Sequence, residues 1–235
     1  MRQLTAIMAG ASTAMLLSAP LHAQSLPFDA EVSFYYIHAP DDSFDYQLQL
    51  EGSAEFDVAP QFSVQVDLAY IKYDGSDPYG YAGVRGIYAA TPDLAFGLGY
   101  SMWLDESDET YLTLDLLYDP GPFAVEAFYS RADYSGSMYD YFGIEGTYRF
   151  GQVGSLPGDI EVFAGYVGEY QDGDRDNDNP YIGVRAGLGN GFDVMLRYAD
   201  MSDGDYRYIT LGVTKTFGEG TTFGRRDYFA FFPGY

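Results

Sequence analysis

From Phe28 to Phe217 this sequence alternates apolar and polar side chains at every second position, in twelve stretches of about ten residues separated by turns. Successive side chains of a β-strand point to opposite faces, so each stretch reads as a strand with one greasy and one wet side. The greasy row of the third stretch is Phe62, Val64, Val66, Leu68 and Tyr70; that of the fifth is Leu94, Phe96, Leu98, Tyr100 and Met102; that of the twelfth is Ile209, Leu211, Val213 and Phe217. The opposite rows are polar or small, as in Gln47, Gln49 and Glu51 or in Thr210, Gly212, Thr214 and Thr216.

Alternation alone would also suit a water-soluble sandwich with the greasy rows facing inward. Three features favour the inverse, an all-β, closed, antiparallel up-and-down barrel with greasy rows outside. Aromatic residues sit at the ends of the greasy rows. Phe28, Phe44, Phe62, Phe123, Phe142, Phe192 and Phe217 hold one end of their stretches, and Tyr36, Tyr70, Tyr88, Tyr100, Tyr118, Tyr129, Tyr148, Phe150, Tyr166 and Tyr198 the other. Between them lie mostly Val, Leu, Ile and Ala. Aromatic girdles of this kind mark the two interfaces of a membrane barrel. The connections alternate in kind as well. Those at 59–60, 91–93, 119–122, 151–158 and 189–191 are mostly tight turns with few charges. Those at 40–43, 74–78, 105–109, 132–137, 171–179 and 200–205 are mostly acidic and read as the more elaborate external loops. Lengths agree too. Twelve tilted spanning strands consume on the order of 120 residues, which residues 24–217 supply. A barrel of about 12 strands follows, with 10 or 14 as the alternatives.

The first 23 residues read as a secretory leader: Arg2, an apolar run over 4–17, and a cleavage region ending at Ala23. Their removal takes away one basic residue, leaving 11 against 35 acidic ones and a formal net charge of −24. This excess argues against nucleic-acid partners, which need a basic footprint, and against docking on an anionic lipid surface. Cysteine is absent, so there is no disulfide framework and no thiolate nucleophile. Disorder is excluded by 24 Tyr and 17 Phe placed at alternate positions.

The stretch 208–217 alternates and ends in Phe217. It resembles the aromatic-terminated last strand that Gram-negative outer-membrane barrels use as an assembly signal. As architecture, the likeness to porin-like outer-membrane barrels covers the whole mature chain. It implies export to the outer membrane, contact with the barrel-assembly machinery, with lipid and with lipopolysaccharide, and no cofactor. In that family the last strand usually ends the protein, whereas here residues 218–235 follow.

The wet rows carry Glu31, Glu51, Asp67, Asp115, Glu126, Glu145, Glu161 and Asp193, with Arg85, Arg149, Arg185 and Arg197 among them. Inside a closed barrel, eight acids against four arginines leave an excess that asks for water or cations, so these twelve are the candidate pore-lining residues. The bland reading is that they pair and close a narrow lumen. Tyr81, Ile87, Leu117, Phe128, Phe163, Val167 and Met195 share the inward phase; space filling near the rims is the expectation, and a greasy substrate track the rival. The oxygen-rich run at 172–179 begins like an EF-hand, but Asn177 stands at its sixth place and Gly183 at its twelfth. Loose divalent-cation binding by Asp172, Asp174, Asp176 and Asp178 is the remaining metal candidate, against a plain solvated loop.

Catalysis finds no constellation. The only histidine of the mature chain is His38; Ser33 and Ser130 are nearby in type but not linked to it by any motif. The segment 225–235 opens with Arg225 and Arg226 and is rich in aromatics. It reads as a loose or interfacial periplasmic end, or else as an insert pairing its arginines with acids in the barrel mouth; the first is the expectation. The functional expectation is a porin-like channel passing cations or small hydrophilic solutes. The alternative is a silent barrel working through acidic external loops.

Overall fold

The computed structural model describes residues 28–39, 46–104, 109–134, 136–154, 157–201 and 206–231. The leader 1–23, the loops at 40–43 and 105–108, most of 200–205 and the last four residues of the chain lie outside them.

Twelve strands form one closed barrel, each antiparallel to its sequence neighbours. They are β1 (Asp29–His38), β2 (Tyr46–Ala59), β3 (Phe62–Tyr73), β4 (Tyr79–Thr91), β5 (Leu94–Trp103), β6 (Thr110–Tyr118), β7 (Phe123–Tyr134), β8 (Ser137–Gln152), β9 (Asp159–Gln171), β10 (Asp174–Gly189), β11 (Phe192–Met201) and β12 (Tyr206–Phe217). The ring closes where β1 pairs with β12, from Ala30 opposite Phe217 to His38 opposite Ile209. Closure leaves no edge with unpaired backbone groups, which is the condition for strands in hydrocarbon. No helix among the described residues is long and apolar enough to cross a membrane.

The greasy rows do face outward. Leu50, Leu68, Leu98, Leu112, Leu114, Ile144, Ile182 and Leu211 are each half exposed or more on the outer wall. A belt of this extent is far beyond what a water-soluble monomer leaves uncovered, and it matches the lipid-facing band of a membrane barrel. Aromatic pairs border the belt at both rims. At the rim carrying both barrel termini, Phe28 packs on Phe56 (5.4 Å) and Phe62 on Tyr88 (4.9 Å); at the far rim, Tyr36 lies by Tyr46 (6.1 Å) and Phe142 by Tyr166 (5.7 Å). The sequence sorted Phe and Tyr by opposite ends of their stretches. Antiparallel strands bring a starting Phe62 and an ending Tyr88 to the same rim, so each girdle is a mixture.

The external connections differ from expectation. The run at 171–179 is not a loop: β9 and β10 continue outward and join through Asp172 and Gly173. Both have positive φ (51° and 95°), the mirror-image turn whose twist suits a hairpin. β8 likewise starts at Ser137, three residues beyond the end of β7 at Tyr134. Length read as loop is spent on extending strands past the girdle.

Inward glycines make room for aromatics on the neighbouring strand. Gly143 stands opposite Phe128 in the β7–β8 register, and a Cβ there would overlap the Phe128 ring. Gly183 stands opposite Phe163 with the same consequence. These rings lie flat on the wall because the facing residue has no side chain. Replacing Gly143 with Val is expected to destabilise the barrel by about 1–3 kcal/mol through overpacking, read by urea unfolding in lipid vesicles.

Candidate functional site

All twelve charged residues assigned to the wet rows lie on the inner wall, but they fall into two groups. On the wall formed by β2 to β7 Asp67, Arg85 and Asp115 are sealed, while Glu51 and Glu126 stay partly exposed. Arg85 Nε is 2.8 Å from Asp115 Oδ2, and its Nη1 is 3.5 Å from Asp67 Oδ2, with the Arg85 side chain 3 % and the Asp115 side chain 0 % exposed. On β8 to β10 they remain wet. Arg185 donates to Glu161 at 2.7 Å with its side chain 42 % exposed, and Arg149 donates to Glu161 at 3.1 Å and to Asp119 at 2.6 Å with 34 % exposed. Further along the same wall Arg197 lies over the Tyr181 ring (5.3 Å), and the Tyr181 hydroxyl donates to Glu145 at 2.9 Å. Glu31 and Asp193 are half-buried on the inner faces of β1 and β11.

The chain itself seals the first group. Beyond β12, residues 218–231 turn back and run up the inside of the barrel. Asp29 Oδ1 accepts the Glu219 amide (2.8 Å), and Glu55 accepts both the amide and the hydroxyl of Thr222 (2.8 and 3.1 Å). The Gln65 side-chain amide then meets the Phe223 backbone from both sides, donating to its carbonyl at 2.7 Å and accepting its N–H at 3.4 Å. Arg226 Nε reaches Asp115 Oδ1 at 3.1 Å, and its Nη2 meets Glu126. Arg225 reaches Glu51 at 3.1 Å and Asp227 at 3.0 Å. The Tyr81 hydroxyl donates to the Arg226 carbonyl at 2.9 Å. One helical turn, Tyr228–Phe231, follows. There Phe231 stacks on Phe128, ring centres 4.7 Å apart and 9° from parallel, and Asn179 donates to its carbonyl at 2.7 Å.

The expectation of a loose or interfacial end is corrected by this path. Its reason is electrostatic: Glu51, Asp67, Asp115 and Glu126 have only Arg85 on their wall, and Arg225 and Arg226, with Asp227 buried beside Arg225, bring them direct cationic partners and one net positive charge. Of the inward apolar residues read as space filling, Tyr81 and Val167 lie in a buried layer toward the far rim, whereas others hold the tail. Ile87 and Leu117 pack on Phe223, and Phe128 carries Phe231, so these residues hold the tail rather than fill the rims.

The half of the lumen toward the far rim holds a layer of buried side chains. Ile37, Ile71, Tyr73, Tyr81, Trp103, Tyr111, Tyr141, Val167, Met201 and Tyr208 form one buried cluster with Phe231 in it. Gln47 and Gln49 of β2, Ala132 of β7 and Asn177 and Asn179 of β10 are buried there as well, so every strand contributes. Tyr141 and Asn177 both donate to Glu169 there (3.2 and 2.7 Å). The sequence places Tyr81 and Val167 of this layer on the inward phase but leaves Tyr73, Trp103, Tyr111 and Tyr208 unassigned, because they sit at strand ends beside acidic turns. Their odd or even phase, matched to the wet row of each strand, was the signal.

The metal candidates are not brought together. Asp172 sits in the hairpin turn, where Oδ1 accepts the Met138 amide, and Asp178 is taken by Arg175 and Tyr166. Among the described residues no three Asp, Glu or His side chains are grouped to hold a metal ion. Nor do the serines reach the histidine. Ser33 faces the lumen, bonded to Thr214 (2.9 Å), and Ser130 is bonded to Thr113 (2.9 Å), while His38 is in the outward phase of β1.

Asp119, in the turn between β6 and β7, is held below the usual carboxylate range by its hydrogen bonds from Arg149. A depressed folded-state pKa means the clasp stabilises above the ordinary aspartate value of about 3.9 and is lost as pH falls through the folded value. The Asp119 side-chain carbon resonance is expected to titrate with a midpoint under 3.9, about that of a free aspartate; a midpoint at or above it contradicts the clasp.

No protein-family model and no curated protein matches this sequence. Solved structures match in fold. This is the architecture of the porin-like outer-membrane barrels. The KdgM porin superposes with a TM-score of 0.59 at 12 % identity, over 80 % of this chain and 99 % of that one; it has also been solved in complex with disordered oligogalacturonate. The NanC porin gives 0.60 at 7 % identity, over 78 % and 98 %, and LpxR from Salmonella typhimurium 0.50 at 12 %, over 79 % and 99 %.

Proposed function

We propose that this protein is an outer-membrane channel of the porin class, exported to a Gram-negative outer membrane and passing small hydrophilic solutes and cations by passive diffusion. One observation carries the reading. Inside a barrel with a greasy exterior, the β8 to β10 wall keeps charged side chains in contact with water, with Arg149, Arg185 and Glu161 standing in a row. A barrel serving only as a scaffold gains nothing from charges in its interior, since well-packed apolar residues would be at least as stable there. Cations are favoured over anions by the excess of acidic residues on the inner wall and around the far rim. Contact with lipopolysaccharide and with the barrel-assembly machinery belongs to the same reading, as does the lack of catalysis.

The buried aromatic layer of the far half supports a second reading, a silent barrel whose acidic rim is its working surface. Conductance in planar bilayers separates the two. Stepwise currents with a cation-over-anion reversal potential are expected; a bilayer that stays silent with folded protein, both in the parent and when the C-terminal segment is freed, contradicts the channel. Replacing Glu161 with Gln is expected to shift the reversal potential toward anions, because Arg149 and Arg185 both lose their shared counter-charge.

A further inference from the structure

We infer that the inner wall of β2 to β8 is a binding site for the chain's own C-terminal segment, and that the docked segment is the latch closing the channel. The second part rests on the channel reading above. The site is built for a particular ligand: a peptide with two adjacent arginines between Phe223 and Phe231 that ends in a helical turn. Asp115 and Glu126 take Arg226, Glu51 and Gln49 take Arg225, and Gln65 reads the Phe223 backbone as a neighbouring strand would. Arg225 and Arg226 lie over the rings of Tyr81 and Phe128 (5.5 and 4.7 Å), so each guanidinium meets carboxylate at its edge and aromatic on its face.

Two observations make this segment a latch rather than a mere filler. First, its contacts are unevenly distributed. They seal the wall carrying Arg85, Asp67 and Asp115, while the wall carrying Arg149 and Arg185 stays wet, so water reaches the lumen beside the tail. Second, its leading aromatic, Phe231, is a member of the buried layer of the far half. Tyr141 touches it at 5.0 Å, and Phe128 stacks on its face. Withdrawing the segment removes a ring from the middle of that layer and leaves Tyr141 and Phe128 facing a hole. It also exposes four carboxylates with one arginine among them. The released state is therefore both wider and more acidic inside than the docked one.

The chain has no cysteine of its own, so one introduced at Ala230, beside Phe231, reports on the tail alone. The full-length protein carrying Ala230→Cys is refolded into vesicles and exposed to a bulky, membrane-impermeant maleimide. Val153→Cys, at the exposed rim, serves as the reference. Labelling at 230 is expected to be about tenfold slower or more, as for a site reached only by local opening. Adding Arg225→Ala with Arg226→Ala is expected to bring the two rates together and to raise single-channel conductance several-fold with a shift toward cations. The pair Phe223→Ala with Phe231→Ala loosens the same docking while keeping both arginines in the chain, so it tests the idea if the arginine variant does not fold. Equal labelling of 230 and 153 in the parent protein, or protection that survives both double variants, overturns the docking site. Labelling that is released while the bilayer stays silent overturns the latch through the channel reading and leaves the docking site standing.

Discussion

Replacing Asp115 with Ala is expected to destabilise the folded barrel by about 3–5 kcal/mol, the cost of leaving buried charge without its partner. The size follows from the position. Asp115 has a fully buried side chain and serves two cations at once, Arg85 from the wall at 2.8 Å and Arg226 from the tail at 3.1 Å. Its loss leaves Arg85 with Asp67 alone, at the longer distance of 3.5 Å. Arg226 keeps Glu126, whose side chain is more accessible than that of Asp115. The measurement is urea unfolding in lipid vesicles, with Arg226→Ala made alone and in combination. Because both residues belong to one network, Arg226→Ala is expected to cost less by about 0.5–3 kcal/mol in the Asp115→Ala background than in the parent. Strict additivity contradicts the shared network.

The second large effect belongs to the outer wall. Leu98→Arg is expected to cost about 2–4 kcal/mol, the range for a cationic side chain near the midplane of a transmembrane barrel. Leu98 lies in the middle of β5, outward and 55 % exposed, between Leu114 on β6 and Gly86 on β4. The same substitution at the rim, at Val153, is expected to cost about 0–1 kcal/mol, since the long side chain reaches the interface there. In a soluble protein an arginine at a half-exposed position would cost nothing in either place. The gradient between the two sites is therefore the informative quantity, and equal costs contradict a lipid-facing belt.

Much of this was legible in the sequence, and for a simple reason. A strand that separates lipid from an interior must alternate at every residue, so Leu94, Phe96 and Leu98 declare their face without help from tertiary structure. Strand number and the closed topology follow from counting such rows. The inner wall was legible only as a list. The sequence puts Glu51, Asp67, Arg85 and Asp115 on one side of their strands, but not which of them share a partner, because that depends on stagger around the ring. The destination of Arg225 and Arg226 was harder still. The tail has no period, and what fixes it is the acid excess of a wall assembled from strands far away in sequence. The run at 172–179 misled for the opposite reason. Its composition is that of a loop, yet the pairing of Asn177 with Glu169 and of Asn179 with Val167 in the β9–β10 ladder carries it as strand.

The most direct test of the central claim exploits the absence of cysteine. Single cysteines at Leu98 and Leu114 on the outer wall, and at Ser101 and Thr113 on the inner wall, are labelled with a small fluorophore in protein refolded into vesicles containing brominated lipid. A barrel spanning the bilayer with its greasy face to lipid gives strong quenching at 98 and 114 and little at 101 and 113. Quenching that fails to alternate between the two faces, or a protein that stays monodisperse in water without detergent, would contradict it.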